Sequence, residues 1–467
     1  VRRLRLALLA APLLLALAVA ACRSHEQAAA DERGPRGEVL APVASAEAGD
    51  RIVLVSGALE GSVEPCRCSE GMLGGLPRRA SLVARFALPD APLVDLGDLG
   101  RPADTSDTIM ELREKAALEA LASMAPAKLH LIALGETDVR LGMDRLARLT
   151  PDSLTWLAAN VTASDPKKAF LKASVVSGDL AFVAVIDPEI VGTIEGYTVS
   201  PAREAVLKEL PGLKGKQVIV LFHGEPAAAK KALGDVPGLA LIVGAHSEVA
   251  LRTKTLATGA AFVTLEIKGQ RLHAFALRPG KGLVAEAHHD LDNLLPDAQV
   301  ARDVLDRFYE AATKLVPGMP TDKLPGEGGR FAGSASCNRE CHSTQFTAWT
   351  ESKHSRALEN LEAKDPKRAG LAECIRCHTV GFGFEGGYSP GGAPEVLGAV
   401  GCESCHGPAS NHLEVTAVNG DGTGFGRLPG KWPERWRDRC IRCHDPANSP
   451  GFVLETYLEK IRHWGPR

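Results

Sequence analysis

The last third of the chain repeats one cysteine–histidine pattern, and that pattern constrains everything else. Cys374-Ile-Arg-Cys377-His378, Cys402-Glu-Ser-Cys405-His406 and Cys440-Ile-Arg-Cys443-His444 all read C-x-x-C-H. Cys337-Asn-Arg-Glu-Cys341-His342 carries one more residue between its cysteines. C-x-x-C-H is the attachment signature of c-type haem. Two cysteines about one helical turn apart reach the two vinyl groups on one edge of a porphyrin as thioethers. The adjacent histidine then lies beneath the ring, where it ligates the iron. Random order of 11 Cys and 14 His in 467 residues would give on the order of 0.01 such motifs. A zinc ribbon would use the pairs Cys374/Cys377 and Cys402/Cys405. A ribbon needs no histidine after each second cysteine, however, and here one follows every time. The expectation is four haem c groups, held by Cys337, Cys341, Cys374, Cys377, Cys402, Cys405, Cys440 and Cys443. His342, His378, His406 and His444 are the expected proximal iron ligands.

Three histidines of this region remain: His354, His412 and His463. A low-spin electron-transfer haem wants two strong axial ligands, so these are the candidate distal ligands. His412 lies six residues after His406. A backbone that has just passed beneath a ring cannot readily return to its opposite face in so few residues, so His412 is expected to serve a neighbouring haem. His354 is expected to cross over in the same way, and His463 to fold back on a helical C-terminal segment. The runs Cys402-Glu-Ser-Cys405-His406-Gly-Pro-Ala-Ser-Asn-His412 and Trp349-Thr-Glu-Ser-Lys-His354-Ser-Arg-Ala-Leu resemble the cytochrome c-554 family of multihaem cytochromes. The ending Asn448-Ser-Pro-Gly-Phe through Tyr457-Leu-Glu-Lys-Ile-Arg-His463 fits as well. The resemblance covers about residues 331 to 467. It implies four stacked haems on a mainly α, loop-rich scaffold, three with two histidines and one with an open iron position. The longer first motif departs from the family pattern.

The other end of the chain reads as a targeting segment. Arg2, Arg3 and Arg5 precede an apolar run, Leu6 to Ala21, that is short for a membrane span. It ends Val19-Ala20-Ala21-Cys22, which looks like a bacterial lipobox, so Cys22 is the expected lipidated residue; the alternatives are an ordinary signal peptide or a retained anchor. Either way the mature chain is expected to face the periplasm or the cell surface, where c-type haem is attached. Arg23 to Asp50 has no periodic apolar pattern and reads as a flexible tether. A net charge of -3 gives no nucleic-acid signal.

Residues 51 to 290 read as α/β. Short runs rich in Val, Ile and Leu recur at Ile52–Val55, Leu93–Leu96, Leu129–Leu134, Leu154–Val161, Leu180–Ile186, Val218–Phe222 and Leu239–Val243, as buried strands do. Thr108–Met124 carries a helical apolar period. Phe262–Ile267 and Leu272–Leu277 around Lys268-Gly269-Gln270 predict a hairpin.

This region resembles the metallophosphoesterase fold of periplasmic 5′-nucleotidases. The resemblance rests on Gly74-Gly75-Leu76-Pro77-Arg78-Arg79, Leu96-Gly97-Asp98, Leu134-Gly135-Glu136-Thr137-Asp138, Ala158-Ala159-Asn160-Val161, Phe222-His223-Gly224 and Gly244-Ala245-His246-Ser247-Glu248. A two-metal phosphoesterase needs about six or seven N/O ligands. Of these Asp98, His223 and His246 remain, and no Asp or His occurs between Arg51 and Pro89. Glu136 and Thr137 replace the Asn-His pair, and Glu248 replaces a final histidine. The expectation is a degenerate scaffold without hydrolase activity, holding at most one weakly bound divalent metal at Asp98, His223 and His246. In place of the missing motif stands Glu64-Pro65-Cys66-Arg67-Cys68-Ser69-Glu70-Gly71. A C-x-C disulfide would be strained and readily reduced, and Arg67, Arg78 and Arg79 are candidates to stabilise a thiolate. The run resembles a Glu-Pro-Cys-x-Cys motif of bacterial nucleotidase-like proteins, which implies redox or sulfur-handling thiols at Cys66 and Cys68. A structural disulfide, or a metal site with His223 or His246, are the alternatives.

Ala298 to Leu315 is predicted helical, with Val300, Val304, Leu305, Phe308 and Ala311 on one face, and Val316 to Gly329 is a Pro/Gly linker. The expected division is a signal peptide over 1–22, a tether over 23–50, an α/β metallophosphoesterase-like sandwich over 51–290, a helix and linker over 291–330, and a tetrahaem domain over 331–467. The expected function is extracytoplasmic electron transfer by a lipid-anchored protein with redox proteins as partners. The alternatives are an oxidoreductase that uses Cys66/Cys68 with the haems as electron acceptor, and an active metallophosphoesterase.

Overall fold

The computed structural model describes residues 47, 49–65, 71–101, 106–124, 128–247, 251–319, 321–324, 329–338, 342–392, 394–419, 434–445, 448–449 and 451–463. Cys22, Cys66, Arg67, Cys68, Glu248 and Cys341 lie outside the described residues. No helix among the described residues is long and apolar enough to cross a membrane.

Two six-stranded sheets face each other in the N-terminal region. The first runs, in spatial order, Gly282–Asp290, Arg271–Arg278, Arg51–Ser56, Leu93–Asp95, His130–Ala133, Leu154–Leu157. The second runs Leu251–Thr255, Ala261–Glu266, Leu239–Ser247, Gln217–His223, Leu180–Ile186, Ser174–Ser177. One apolar layer fills the space between the sheets, with Val53, Val94, Leu131, Phe182, Leu221, Val243 and Phe275 at 0 or 1 % exposure. Helices Leu76–Phe86, Asp107–Ala122 and Gln299–Leu315 cover the outer face of the first sheet. Helices Ala202–Glu209 and Pro226–Leu233 cover that of the second. Strands such as LAFVAVI over 180–186 are buried at every position, so they read as unbroken apolar runs.

The central strands within each sheet are parallel. Their carboxyl ends therefore share one edge, and the loops that follow collect there. Asp98 follows Leu93–Asp95, Glu136 opens the helix after His130–Ala133, His223 ends its strand and His246 lies near the end of Leu239–Ser247. Asn160, at the same edge, is taken up structurally. Its Nδ2 donates to Ile186 O at 2.7 Å and to Ser200 O at 3.1 Å, and its Oδ1 accepts from Ile186 N at 3.0 Å.

Two expectations need correction. The strands flanking Lys268-Gly269-Gln270 do not pair as a hairpin. Ala261–Glu266 pairs parallel with Leu239–Ser247, while Arg271–Arg278 pairs with Arg51–Ser56 and Gly282–Asp290 in the other sheet. The turn is instead the crossing between sheets, held by Lys268 N donating to Ala58 O. Both strands are buried on both faces, which a lone hairpin does not provide. In helix Gln299–Leu315 the buried face is Ala301, Val304, Leu305, Phe308, Tyr309 and Ala312, whereas Val300 is 65 % exposed. This helix packs into the core of the first sheet, so it belongs with the α/β region.

The C-terminal region is built of short helices: Ser343–Thr350, Ala357–Lys364, Ala372–His378, Cys402–His406, Ser410–Asn419, Glu434–Cys440 and Leu454–Lys460. Its own apolar cluster is small, with Leu358, Leu361 and Ala369 as its buried members. A segment of this length with so little core requires another source of buried apolar surface.

Candidate metal centre and haem motifs

At the shared sheet edge Asp98, Glu136, His223 and His246 converge, with one ligand atom from each lying within 4.8 Å of all the others. Asp98 Oδ2 is 3.3 Å from both His223 Nε2 and His246 Nε2. Glu136 Oε2 is 2.8 Å from His223 Nε2 and 3.3 Å from His246 Nε2. The two Nε2 atoms are 2.9 Å apart. Ligands on a tetrahedral ion with bonds of about 2.0–2.1 Å stand about 3.3–3.4 Å from one another, so the 3.3 Å spacings match a single ion, and the 2.8 and 2.9 Å ones are somewhat closer. The donor set, two imidazoles and two carboxylates, suits a divalent first-row metal.

The cluster is held from behind. His223 Nδ1 donates to the Leu96 carbonyl, which fixes the tautomer and aims Nε2 inward. Asp98 Oδ1 accepts from Thr137 N and Oγ1, both at 3.0 Å. Asp138 accepts from the backbone N–H groups of Asp98, Leu99 and Gly135 at 2.9, 2.7 and 2.9 Å, which pins the loop. Asp98 and His246 both sit in the left-handed backbone region, at φ 54° and 57°. Strain of this kind persists where surrounding structure enforces it, as at binding sites. Gly135 is required by space: a Cβ there would lie 2.3 Å from Asp98 Oδ1 and 2.8 Å from His223 Cε1.

Burial alone would push these carboxylates up and these imidazoles down, yet their mutual contacts override it. Hydrogen bonds from His223 and His246 hold Glu136 at about 2. His223 holds Asp98 far below the carboxylate range. Hydrogen bonds to Asp98 and Glu136 lift His246 to about 9, and Asp98 lifts His223 well above its usual value. The pocket therefore favours positive charge, supplied either by an imidazolium or by a cation.

Asp98, His223 and His246, expected to share at most one metal, do converge, and Glu136 joins them as a fourth candidate ligand. The signal lay in Glu136 occupying the strand-end position of a familiar ligand, but an exchange of residue type concealed it. Arg78 and Arg79 have structural partners. Arg79 is 1 % exposed and pairs with Asp95, one of the two bonds at 2.6 Å; Arg78 Nη1 donates to the carbonyls of Met72, Gly74 and Leu291. Glu64, just before the cysteine pair, accepts from both Arg302 and Tyr309.

In the C-terminal region Cys337, Cys374, Cys377, Cys402, Cys405, Cys440 and Cys443 are all free of disulfides. The motifs meet in pairs, with the thiol of Cys337 against that of Cys402 and the thiol of Cys377 against that of Cys443. Each of the three spare histidines also lies near a motif histidine. Ring centres are 6.2 Å apart for His342 and His412, 6.2 Å for His354 and His444, and 6.1 Å for His406 and His463. Two imidazoles on opposite sides of one metal ion, each about 2.0–2.1 Å away through nitrogen, would place their centres about 6.2–6.4 Å apart. His378 Nδ1 donates to Ala357 O at 2.7 Å, and His463 Nδ1 to Ile461 O at 2.8 Å; His444 Nδ1 lies 3.0 Å from Ser449 Oγ. Such bonds leave Nε2 available as a ligand. Glu403, inside the third motif, is 3 % exposed and accepts from the N–H groups of Ala332, Gly333 and Ala409, tying that motif to the start of the region.

Comparison with known proteins agrees with both halves. The family described as cytochrome c554 and c-prime matches residues 336–407. The curated cytochrome c-554 of Nitrosomonas europaea is 32% identical over 137 residues, which cover 24% of this chain and 57% of that protein. The chain thus spans a little over half the length of this relative. Among solved structures, a 5′-nucleotidase precursor from Thermus thermophilus aligns with a TM-score of 0.51 at 17% identity, covering 74% of this chain and 73% of the other; at that identity the likeness speaks for fold alone. The chain therefore joins an α/β region with the 5′-nucleotidase fold to a C-terminal region that resembles the cytochrome c-554 family.

Proposed function

We propose that this protein is a tetrahaem c-type cytochrome that transfers electrons outside the cytoplasm, fused to a nucleotidase-like domain that does not hydrolyse phosphoesters. The observation that carries the reading is the set of three histidine pairs, each joining a motif histidine to one of the three spare histidines, with ring centres at the spacing expected for a doubly ligated iron. Bound haem supplies reversible one-electron chemistry. His342 with His412, His406 with His463, and His444 with His354 would hold three irons, and the motif Cys374–His378 would hold the fourth. That use of the three spare histidines assigns the open iron position to the fourth haem. The small apolar cluster of the region supports the same reading, because porphyrin faces would supply the missing buried surface.

A pyridine haemochrome assay with intact mass tests the reading. Four haems per chain are expected; three would remove Cys337/Cys341 from the set, and none would end the proposal. Lack of phosphoester hydrolysis is the expected behaviour, and it is supported by the single four-ligand group found among the described residues, where a two-ion clamp would need more ligands. Metal-dependent release of phosphate from nucleotides, abolished in His223→Ala, would overturn that part. Lipid attachment at Cys22 is tested by labelling cells with a radioactive fatty acid and repeating the labelling with Cys22→Ser.

A second reading, oxidation or reduction of a small substrate by Cys66 and Cys68 with the haems as electron acceptor, is favoured by one contact. Arg368, six residues before Cys374, donates to the carbonyl of Pro65 at 2.8 Å. The residue preceding the cysteine pair is thereby anchored to the haem-motif segment. Reduction of the haems by a thiol substrate, lost in the double Ser variant, would support this reading; unchanged reduction would reject it.

A further inference from the structure

We infer that the haem on Cys374, Cys377 and His378 is the junction through which the four-ligand site of the nucleotidase-like domain exchanges electrons with the haem array, with Arg101, Arg113 and Glu373 as its positioning residues. The inference rests on the tetrahaem reading above. It concerns a connection between the two halves of this chain.

Three observations carry it. The second motif is built into the first domain's core. Leu371 is 3 % exposed within that core, and Cys374 packs against it. Gly370 lies so close to helix Gln299–Leu315 that a Cβ would stand 2.4 Å from Thr313 Cγ2. Arg368 spans the junction too, over the Tyr309 ring at 5.7 Å and on to Pro65.

The second observation is an ion-pair clamp. Glu373 precedes Cys374 and accepts from both Arg101 and Arg113 of the first domain. Burial pushes the Glu373 carboxyl up, but the two guanidiniums hold it at about 2, so it is ionised at neutral pH. Glu373 is half-buried and Arg113 fully buried, so the clamp fastens the second motif to the first domain, and loss of Glu373 would leave the buried Arg113 guanidinium without this partner.

The third is continuity with the four-ligand site. Arg101 lies three residues along the chain from Asp98. Gly61 N donates to Asp98 O at 3.0 Å, and Gly61 O accepts from Arg113 Nη1 at 3.3 Å. Arg113 Nη2 then donates to Glu373. An unbroken run of hydrogen bonds and covalent bonds thus leads from a ligand of the candidate metal centre to the residue beside Cys374. Chains of hydrogen bonds and rigid elements of this kind are one carrier of coupling between sites.

The test uses the full haem-loaded chain and iron(II) as the probe. One iron(II) at the four-ligand site loses one electron to become iron(III), one haem iron(III) gains it, and no proton moves. Anaerobic stopped-flow should show one haem per chain reduced at a rate that becomes independent of iron(II) concentration. His223→Ala should abolish that phase, and Glu373→Gln should slow it at least tenfold while reduction by dithionite is unchanged. Glu373→Gln should also shift one haem of the four toward the reduced form by about tenfold, about 59 mV for one electron, because a negative charge beside it has gone. If Glu373→Gln does not accumulate with four haems, Arg101→Gln carries the same test with the opposite sign of shift. Absence of the saturating phase, its survival in His223→Ala, or an equal shift of all four haems would each overturn the junction. A wild-type chain with fewer than four haems would instead count against the tetrahaem reading.

Discussion

Replacing Glu114 by methionine should stabilise the protein, and by an amount that grows with pH. Glu114 lies on helix Asp107–Ala122 at 0 % exposure, and neither of its carboxyl oxygens has a hydrogen-bond partner. Burial pushes it up to about 10 from 4.5, and the nearby Asp138 and Asp98 add to the shift. The sign follows from the raised value. The folded protein keeps the proton and the unfolded chain loses it above pH 4.5, so wild-type stability is full below 4.5 and is lost progressively up to about 10. Each pH unit in that window corresponds to about 1.4 kcal/mol. Between pH 5 and pH 7.5 the wild type should therefore lose about 3 kcal/mol from this group. Methionine has similar length, no proton to hold and no polar atom to desolvate, so it escapes that loss. Denaturant midpoints of wild type and Glu114→Met, measured on the full chain at pH 5 and pH 7.5, read the difference. A variant less stable at pH 7.5, or a gain of equal size at both pH values, would show that the carboxyl is not held protonated and would refute the argument. Saturating divalent metal should narrow the gap, since a cation at Asp98 removes part of the repulsion that Glu114 feels.

Metal affinity of the four-ligand site should rise by up to about tenfold per pH unit from pH 6 to 8, because ligation displaces the proton that the carboxylates hold on His246; isothermal titration in buffers of different ionisation enthalpy counts the protons released, and release of none would contradict the geometry. Gly135→Ala should abolish that binding while the far-UV spectrum stays unchanged, since the new methyl occupies the space of Asp98 Oδ1. His412→Ala, His354→Ala and His463→Ala should each convert one low-spin haem to high-spin with all four still attached, as seen by electron paramagnetic resonance; a spectrum identical to wild type removes that histidine from the ligand set. Leu371→Asp should loosen the two regions from each other, with faster proteolysis after Leu315, because it buries a charge in the core they share.

Much of this molecule is visible in the order of its residues. Covalent haem attachment needs two thiols and an imidazole at fixed short range, so C-x-x-C-H is a local signal and survives without any fold. The buried strands are equally local, since a strand covered on both faces is an uninterrupted apolar run, as over 180–186 and 217–223. The turn at Lys268–Gln270 shows where local reading fails. Its composition is that of a hairpin, yet its two strands are claimed by different sheets, and only the competition among all twelve strands of the two sheets decides that.

Long-range facts belong to the tertiary structure alone. That Glu136 joins Asp98, His223 and His246 depends on the parallel central strands of two sheets ending at one edge, which no window of sequence contains. The pairing of His412 with His342, and of His354 with His444, depends on how short helices fold across one another. The count of spare histidines came from the sequence; which motif histidine each lies beside came from space. Most of all, the contact of Glu373 with Arg101 and Arg113 joins residues more than 250 positions apart. A charge on a helix beside a haem motif reads as a solvated surface group until the fold buries it against two arginines. Chemistry that acts between neighbours in the chain is written in the sequence, whereas chemistry that acts between distant segments exists only once packing has brought them together.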